Sequence, residues 1–182
     1  MERVVSIARR IAAIALVACC GIAFYFFCVL PYRCNRLKKA GIASTAYAFD
    51  HLGTPEGSVQ ARRNLASLNQ CLSPACRDVT ADMLAAANYS VLGRYDEAIR
   101  LYHDALRLDE RPEIYMNLAA AEVAAGDRKS ARNDLLRAVL FTPWAIKSID
   151  DGLLREEVLQ QLVALRPENK EYIYYVNNVQ LP

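Results

Sequence analysis

A long apolar stretch near the start of the chain is followed by segments in which apolar residues recur at the spacing of a helix. Residues 11–30 carry no charged side chain, and a helix of that length spans roughly 30 Å, the thickness of a bilayer core. Aromatic residues at positions 24–27 stand near one end of the stretch, where such rings favour the membrane interface. The pattern predicts an N-terminal tail and a single transmembrane helix within residues 1–32.

Two alternatives to an uncleaved anchor involve the same residues. A cleaved signal peptide has an apolar core of about 7–15 residues that ends at small side chains, whereas this stretch is longer and ends in bulky aromatic residues. Residues 16–19, Leu-Val-Ala-Cys, are similar to the lipobox of bacterial lipoproteins, in which the cysteine, here Cys19, is lipidated. The residues after Cys19 stay apolar as far as Leu30, where a lipoprotein would continue with a polar tether. An uncleaved anchor is therefore favoured.

Small residues recur along one face of this helix at spacings of three or four. Because small side chains allow two helices to approach closely, this face is predicted to pack against another membrane helix. Its residues are Ala8, Ala12, Ala15, Cys19 and Ala23. Alanine and cysteine are also common in membrane spans in general, and the face contains no GxxxG motif.

The cysteines, rather than the basic residues, favour one side of the membrane for the rest of the chain. Three basic residues precede the span and four follow it closely, so charge alone does not set the orientation. Cys71 and Cys76 enclose a four-residue loop that is short enough for a disulfide, and disulfides persist in oxidising compartments. We therefore expect a bacterial inner-membrane protein whose C-terminal domain lies in the periplasm. Reduced thiols are the alternative, and Cys34 would be a candidate for acylation on a cytosolic side.

The strongest signal in the chain is a repeat with an offset of 33 residues. Gly93 and Gly126 each begin a stretch in which small and large residues recur at matching positions. Segments 82–92 and 113–125 contain no glycine or proline and are predicted to be helices, which these glycines can close by taking the left-handed conformation. The helix after the first glycine carries one apolar stripe, made of Ala98, Leu101, Tyr102, Ala105 and Leu108.

At these positions the chain resembles a tetratricopeptide repeat, a helix-turn-helix unit of about 34 residues. The first unit matches at Tyr89, Gly93, Tyr95, Ala98, Tyr102 and Ala105, and the second at Tyr115, Leu118, Ala119, Gly126, Ala131, Leu135, Ala138 and Pro143. Asp82 and Glu122 depart from the pattern, and each unit is one residue short. The resemblance implies an all-α fold in which antiparallel helix pairs stack as a solenoid.

Two repeats cannot bury their faces alone, so the flanking segments are expected to complete the stack. Residues 33–78 are predicted to hold a juxtamembrane segment and a degenerate helical repeat, and residues 79–143 the two clear repeats. Residues 144–182 are predicted to hold a shortened repeat, whose first helix is stunted, followed by a C-terminal capping helix at residues 172–179.

Charge and motifs argue against several other classes of function. Lys and Arg number 22 against 20 Asp and Glu, which is too balanced for the basic field of a nucleic-acid-binding protein. The sequence contains no glycine-rich phosphate loop or haem-attachment motif, and neither His51 nor His103 stands at metal-ligand spacing from Cys71 and Cys76. No catalytic residue, cofactor, metal or small-molecule substrate is predicted, and an enzyme with an unrecognised site is the minority interpretation.

The resemblance implies that proteins bind to the first helices of successive units. That partner-binding groove would present Met83, Ala87, Val91, Met116, Asn117, Ala120 and Ala124, unless the methionines pack inside the fold. We therefore predict a membrane-anchored, non-catalytic scaffold or accessory subunit, with the lipid bilayer and proteins of a membrane complex as its partners. A receptor that transiently captures exported or imported polypeptides is the alternative.

Overall fold

The computed structural model describes residues 14–165 and, beyond them, Glu168, Tyr174 and Asn178. This part of the chain is all-helical and contains no strand. The α-helices are α1 (Ile14–Asp50), α2 (Pro55–Leu68), α3 (Val79–Val91), α4 (Tyr95–Leu108), α5 (Pro112–Ala125), α6 (Arg128–Phe141) and α7 (Gly152–Leu165), and a 3-10 helix (Pro143–Ser148) precedes α7. The expected capping helix lies outside the described residues except at Tyr174 and Asn178.

Helix α1 is long and apolar enough to cross a membrane, and it continues directly into the folded part of the chain. A π-helical turn, Tyr25–Val29, interrupts it just before Pro31. Proline has no N–H to donate to the carbonyl four residues back, and its ring crowds that carbonyl. The backbone therefore widens locally, and the N–H of Leu30 donates instead to the carbonyl of Tyr25, five residues back.

Gly93 and Gly126 form equivalent corners 33 residues apart in the sequence. Both glycines have positive φ angles, +70° and +89°, which L side chains rarely adopt. At both corners the glycine N–H donates to the carbonyl three residues back at 3.0 Å, and the next N–H donates to the carbonyl five residues back at 2.9 Å. This is the bonding pattern of a Schellman motif. Helices α4 and α6 then begin and end at an offset of the same length.

The helices on either side of each corner pack through alanines. Ala98 in α4 and Ala131 in α6 are completely buried, and so are Ala105 and Ala138 seven residues later. Tyr102 and Leu135, at equivalent positions in the two units, are buried beside them. Small side chains let the helix axes approach, and the larger ones fill the space that remains. The 33-residue repeat in the sequence is thus a repeat of helix bounds, corners and buried positions.

A disulfide joins α1 to the segment that follows α2, and it differs from the predicted one. Cys76 bonds to Cys34, with 6.0 Å between their Cα atoms, and Cys71 is a buried free thiol. The predicted Cys71–Cys76 pair is therefore wrong. Helix α2 runs back along α1 and brings the loop after it to the start of the folded part of α1, where Cys34 lies. The Sγ of Cys71 instead lies 3.7 Å from the carbonyl oxygen of Cys34.

Buried polar side chains fasten this hairpin of α1 and α2 to the first repeat. The Nδ2 of Asn88 in α3 donates to Thr45 Oγ1 of α1 at 2.8 Å, and the Nδ2 of Asn64 in α2 donates to Asn88 Oδ1 at 2.9 Å. All three side chains are buried. Because an unpaired polar atom in such a place is costly, the network fixes how the three helices align.

The last part of the described chain completes the core beyond α6. Where the sequence predicts a stunted helix, the chain forms the 3-10 helix Pro143–Ser148, from which Ile146 packs against Leu154 and Val158 of α7. The carboxylate of Asp151 caps α7 by accepting a hydrogen bond from the N–H of Leu154 at 2.9 Å. It also pairs with Arg128 at the start of α6, at 2.6 Å.

Candidate protein-binding surface

The seven residues of the predicted groove lie on α3 and α5, and they differ in how far they reach the surface. Asn117, Ala120 and Ala124 of α5 are exposed, at the spacing of one helical face. Ala87 of α3 is half-buried. Val91 is buried, because it packs with Ala48 of α1 and Ala61 of α2. Val91 is therefore part of the interior and cannot contact a partner on this surface.

Each of the two methionines is partly buried and partly exposed. Met83 is half-buried against the core formed by α3, α4 and α5, and Met116 is half-buried against the core that α5 shares with α6 and α7. The alternative that the methionines pack inside the fold is thus correct in part. Val123, which is not among the predicted groove residues, is 41% exposed beside Ala120 on α5.

The exposed residues in the second half of α5 are uncharged, and most of them are apolar. Alanine side chains at positions 120 and 124 leave the backbone of α5 close to the surface, and Val123 adds a larger apolar contact. Asn117 is the polar member and offers both a donor and an acceptor. We call Asn117, Ala120, Val123 and Ala124 the α5 surface. A surface of this kind can accept a helix or an extended segment at short range, but it contains no group that could act as an acid, a base or a nucleophile.

A pair of carboxyl groups near the second corner was not predicted from the sequence. Glu122 of α5 is buried and lies within hydrogen-bonding distance of Asp134 of α6. Burial, together with the charges of Asp134 and Asp127, raises the pKa of Glu122 to about 8. Burial also raises the pKa of Asp134, although the neighbouring Arg137 and His103 lower it.

A single proton explains this arrangement. The Oε2 atom of Glu122 has no donor among the described residues, and two ionised carboxylates cannot bond to each other. A neutral Glu122 can donate to an ionised Asp134, which satisfies both groups. The sequence did contain a signal for this pair: a glutamate stands at the position that Tyr89 occupies in the first unit.

Two arginines and two aspartates near the first repeat form ion pairs with one another. Arg77 pairs with the completely buried Asp82 at 2.9 Å and with Asp104, which also pairs with Arg107. A cleft of ≈ 140 Å³ is lined by three of these residues together with Leu108. His103 is exposed on the same helix. No group of three or more His, Cys, Asp or Glu side chains that could hold a metal ion occurs in residues 14–165 or at the three positions described beyond them.

The predicted helix-packing face of the apolar N-terminal segment is partly within the described residues. Ala15, Cys19 and Ala23 are exposed on α1 before the π-helical turn, at spacings that place them on one side. Ala8 and Ala12 lie outside the described residues. The exposure of the three described residues leaves this side available to a second membrane helix or to lipid.

No protein-family model matches the chain, and no curated protein is significantly similar to it.

Proposed function

We propose that this chain is a membrane-anchored, non-catalytic scaffold of the tetratricopeptide-repeat type, an accessory subunit that holds a partner protein beside the bilayer. The observation that carries the proposal is the pair of equivalent helical corners at Gly93 and Gly126. A helix pair repeated in this way presents its first helices, α3 and α5, as one surface. The accessible part of that surface is apolar and carries no reactive group.

The continuity of α1 supports a role next to the membrane. The helix that is apolar enough to span a bilayer runs without a loop into the hairpin with α2. A flexible linker would let the repeats move away from the membrane, whereas a continuous helix holds them within a few helical turns of it. A bound partner would therefore also be held at the membrane surface.

The Cys34–Cys76 bond supports a location outside the cytoplasm. Disulfides persist in oxidising compartments such as the bacterial periplasm and are rare in the cytosol. Cys34 is only four residues beyond Leu30, so the side of the membrane that it faces is the side of the folded domain. We therefore infer a single-pass topology with the helical domain in the periplasm.

Site-specific photocrosslinking in cells tests the proposed surface. A photoreactive residue at Asn117 or Ala120 should give one discrete crosslinked product, because both side chains are exposed on the α5 surface. The matched control is Asn133 on α6, which is exposed outside that surface. The same products from Asn133, or none from either α5 position, would contradict the proposal.

Partner exchange separates a scaffold from a transient receptor. A scaffold should keep its crosslinking partner in a fixed ratio during purification in mild detergent. A receptor for passing polypeptides should instead lose the partner on dilution and give many products of different mass from Asn117. Many products that exchange quickly would favour the receptor over the accessory subunit.

A further inference from the structure

A cleft lies at the end of the α1–α2 hairpin that is nearest the apolar part of α1. Its volume is ≈ 500 Å³, and it is lined by Arg33, Arg36, Leu37 and Ala40 of α1 and by Ser67 and Gln70 at the end of α2. The four α1 residues recur at spacings of three and four, so they share one helical face. A second cleft of ≈ 250 Å³ begins beside it, sharing Leu37, Ala40 and Ser67, and extends along the same groove.

The two arginines have no carboxylate partner among the described residues, whereas the neighbouring Lys38 is paired. Lys38 forms an ion pair with Asp78, the residue that caps α3. Neither Arg33 nor Arg36 forms an ion pair with any residue that the structure describes. Their guanidinium groups can therefore bind an anion from outside the chain.

The charge of the hairpin is divided between its two ends. Residues 31–49 contain four basic and no acidic side chains. The acidic residues of the hairpin, Asp50 and Glu56, stand at its other end, at the close of α1 and the start of α2. The end with the cleft is thus the positive end, and it is also the end that faces the bilayer in the proposed topology.

The depth of the arginines matches the headgroup layer of a membrane. The apolar stretch ends at Leu30, and at about 1.5 Å per residue Arg33 and Arg36 lie roughly 4.5 and 9 Å farther along the helix axis. The polar layer on each side of a bilayer core is about 5–8 Å thick. One arginine therefore falls within this layer and the other at its outer edge.

The disulfide gives the cleft a fixed wall. Cys34 lies between the two arginines in the sequence, and its bond to Cys76 holds the segment after α2 against α1. Gln70, which lies in this segment, contributes an amide that can donate to an oxygen anion. Two arginines on one helical turn and a neighbouring amide suit a phosphate group, which guanidinium binds in a bidentate manner.

We propose that this cleft binds the phosphate of an anionic phospholipid headgroup, and this proposal rests on the membrane anchoring proposed above. The lipid is preferred over a free phosphate because the cleft lies at the depth of the headgroups and has an apolar side formed by Leu37 and Ala40. Bound lipid orients the hairpin, and with it the repeats, on the bilayer surface.

Lipid retention by the full-length chain tests the proposal. The chain is purified in detergent, titrated with phosphatidylglycerol or with phosphatidylcholine of the same acyl chains, and observed by native mass spectrometry. We expect preferential retention of phosphatidylglycerol. Each direct hydrogen bond from a guanidinium to the phosphate contributes roughly tenfold in affinity, so Arg33→Gln/Arg36→Gln should bind about 100-fold more weakly. Equal retention of the two lipids by the unaltered chain would overturn the proposal.

Matched variants separate a built site from general surface charge. Lys39→Gln/Arg62→Gln removes the same charge from exposed positions that do not line the cleft, and it should change binding by less than about threefold. Ser67→Phe fills the cleft without changing charge and should weaken binding as strongly as the loss of both arginines. Equal losses in the two double variants, or full binding by Ser67→Phe, would show only diffuse attraction and would overturn the site.

A third measurement adds inorganic phosphate to the lipid-bound chain in the same detergent. Displacement of phosphatidylglycerol by millimolar phosphate would show a soluble-anion site and contradict the lipid assignment, whereas retention of the lipid supports it. Circular dichroism and the thermal midpoint establish that each variant is folded. Alkaline extraction of membranes tests the anchoring separately: a chain that stays in the pellet but shows no lipid preference is anchored without this site.

Discussion

The α1–α2 hairpin and the repeats α3–α6 are both helical, but different interactions hold them together. In the repeats the contacts are made by alanines and by Tyr102 and Leu135, between helices close in sequence. The hairpin is held by a disulfide between residues 42 positions apart, and a network of buried amides and a hydroxyl joins it to α3. The repeats thus depend on small side chains at fixed spacing, and the hairpin depends on specific long-range partners.

In the proposed function the two regions meet different surroundings. The repeats present the largely apolar α5 surface, which suits a protein partner. The hairpin continues the apolar part of α1 and carries a cleft whose two arginines have no ion-pair partner among the described residues. A disulfide and a polar network fix the alignment of the hairpin, whereas the repeats need only a regular stack.

Loss of the disulfide should have the largest effect on stability. Closing a loop of 42 residues lowers the entropy of the unfolded chain, so Cys34→Ala/Cys76→Ala should cost about 4 kcal/mol in the free energy of unfolding. The measurement is chemical unfolding of the full chain in mild detergent. The control Cys71→Ala keeps the bond. Alkylation of the denatured chain before reduction should label Cys71 and leave Cys34 and Cys76 unlabelled; labelling of Cys34 would refute this pairing.

Loss of the Asn88 amide should weaken the packing of the hairpin against the repeats, at a slightly smaller cost in the free energy of unfolding. Asn88→Ala leaves the buried Thr45 and Asn64 without their partner, which should cost about 2–3 kcal/mol. Asn133→Ala, at an exposed position of α6, should change stability by less than about 0.5 kcal/mol. Thermal unfolding compares the two variants, and equal midpoints would argue that the network does not hold the hairpin to the repeats.

Overpacking the repeats should cost about 1–3 kcal/mol and should do so equally in both units. Ala98 and Ala131 are completely buried at equivalent positions, so leucine at either one pushes the helix pair apart. Ala66→Leu adds the same atoms at an exposed position of α2 and serves as the control. A thermal midpoint unchanged by Ala98→Leu or Ala131→Leu would show that the helices pack in another register.

The carboxyl pair should make the stability of the repeats fall as the pH rises from about 4.3 to about 8. Folded Glu122 keeps its proton until about pH 8, whereas the unfolded chain loses it near the ordinary value of about 4.3. Between these values the folded state binds more protons, so stability falls as the pH increases. Glu122→Gln should remove this slope and be more stable than the unaltered chain above pH 8. If the free energy of unfolding of Glu122→Gln and that of the unaltered chain changed with pH in parallel, the shared proton would be contradicted.

Local patterns were enough to predict the long apolar helix and the 33-residue repetition of helices, because both depend on residues near one another in the sequence. The apolar run at residues 11–30 and the glycines at positions 93 and 126 each indicate their structure directly. The partner of Cys76 was not predictable in the same way, because the fold of α2 decides which cysteine comes near it. The burial of Val91 was missed for the same reason: its neighbours come from α1 and α2.

The most direct test of the scaffold proposal is the composition of the complex that the chain forms in mild detergent. The unaltered chain should carry one partner protein in a fixed ratio by native mass spectrometry. Ala120→Arg/Ala124→Arg places two charges on the exposed α5 surface and should release that partner while leaving the thermal midpoint of the chain unchanged. Retention of the partner by this variant, or an unaltered chain that is recovered alone, would contradict the account.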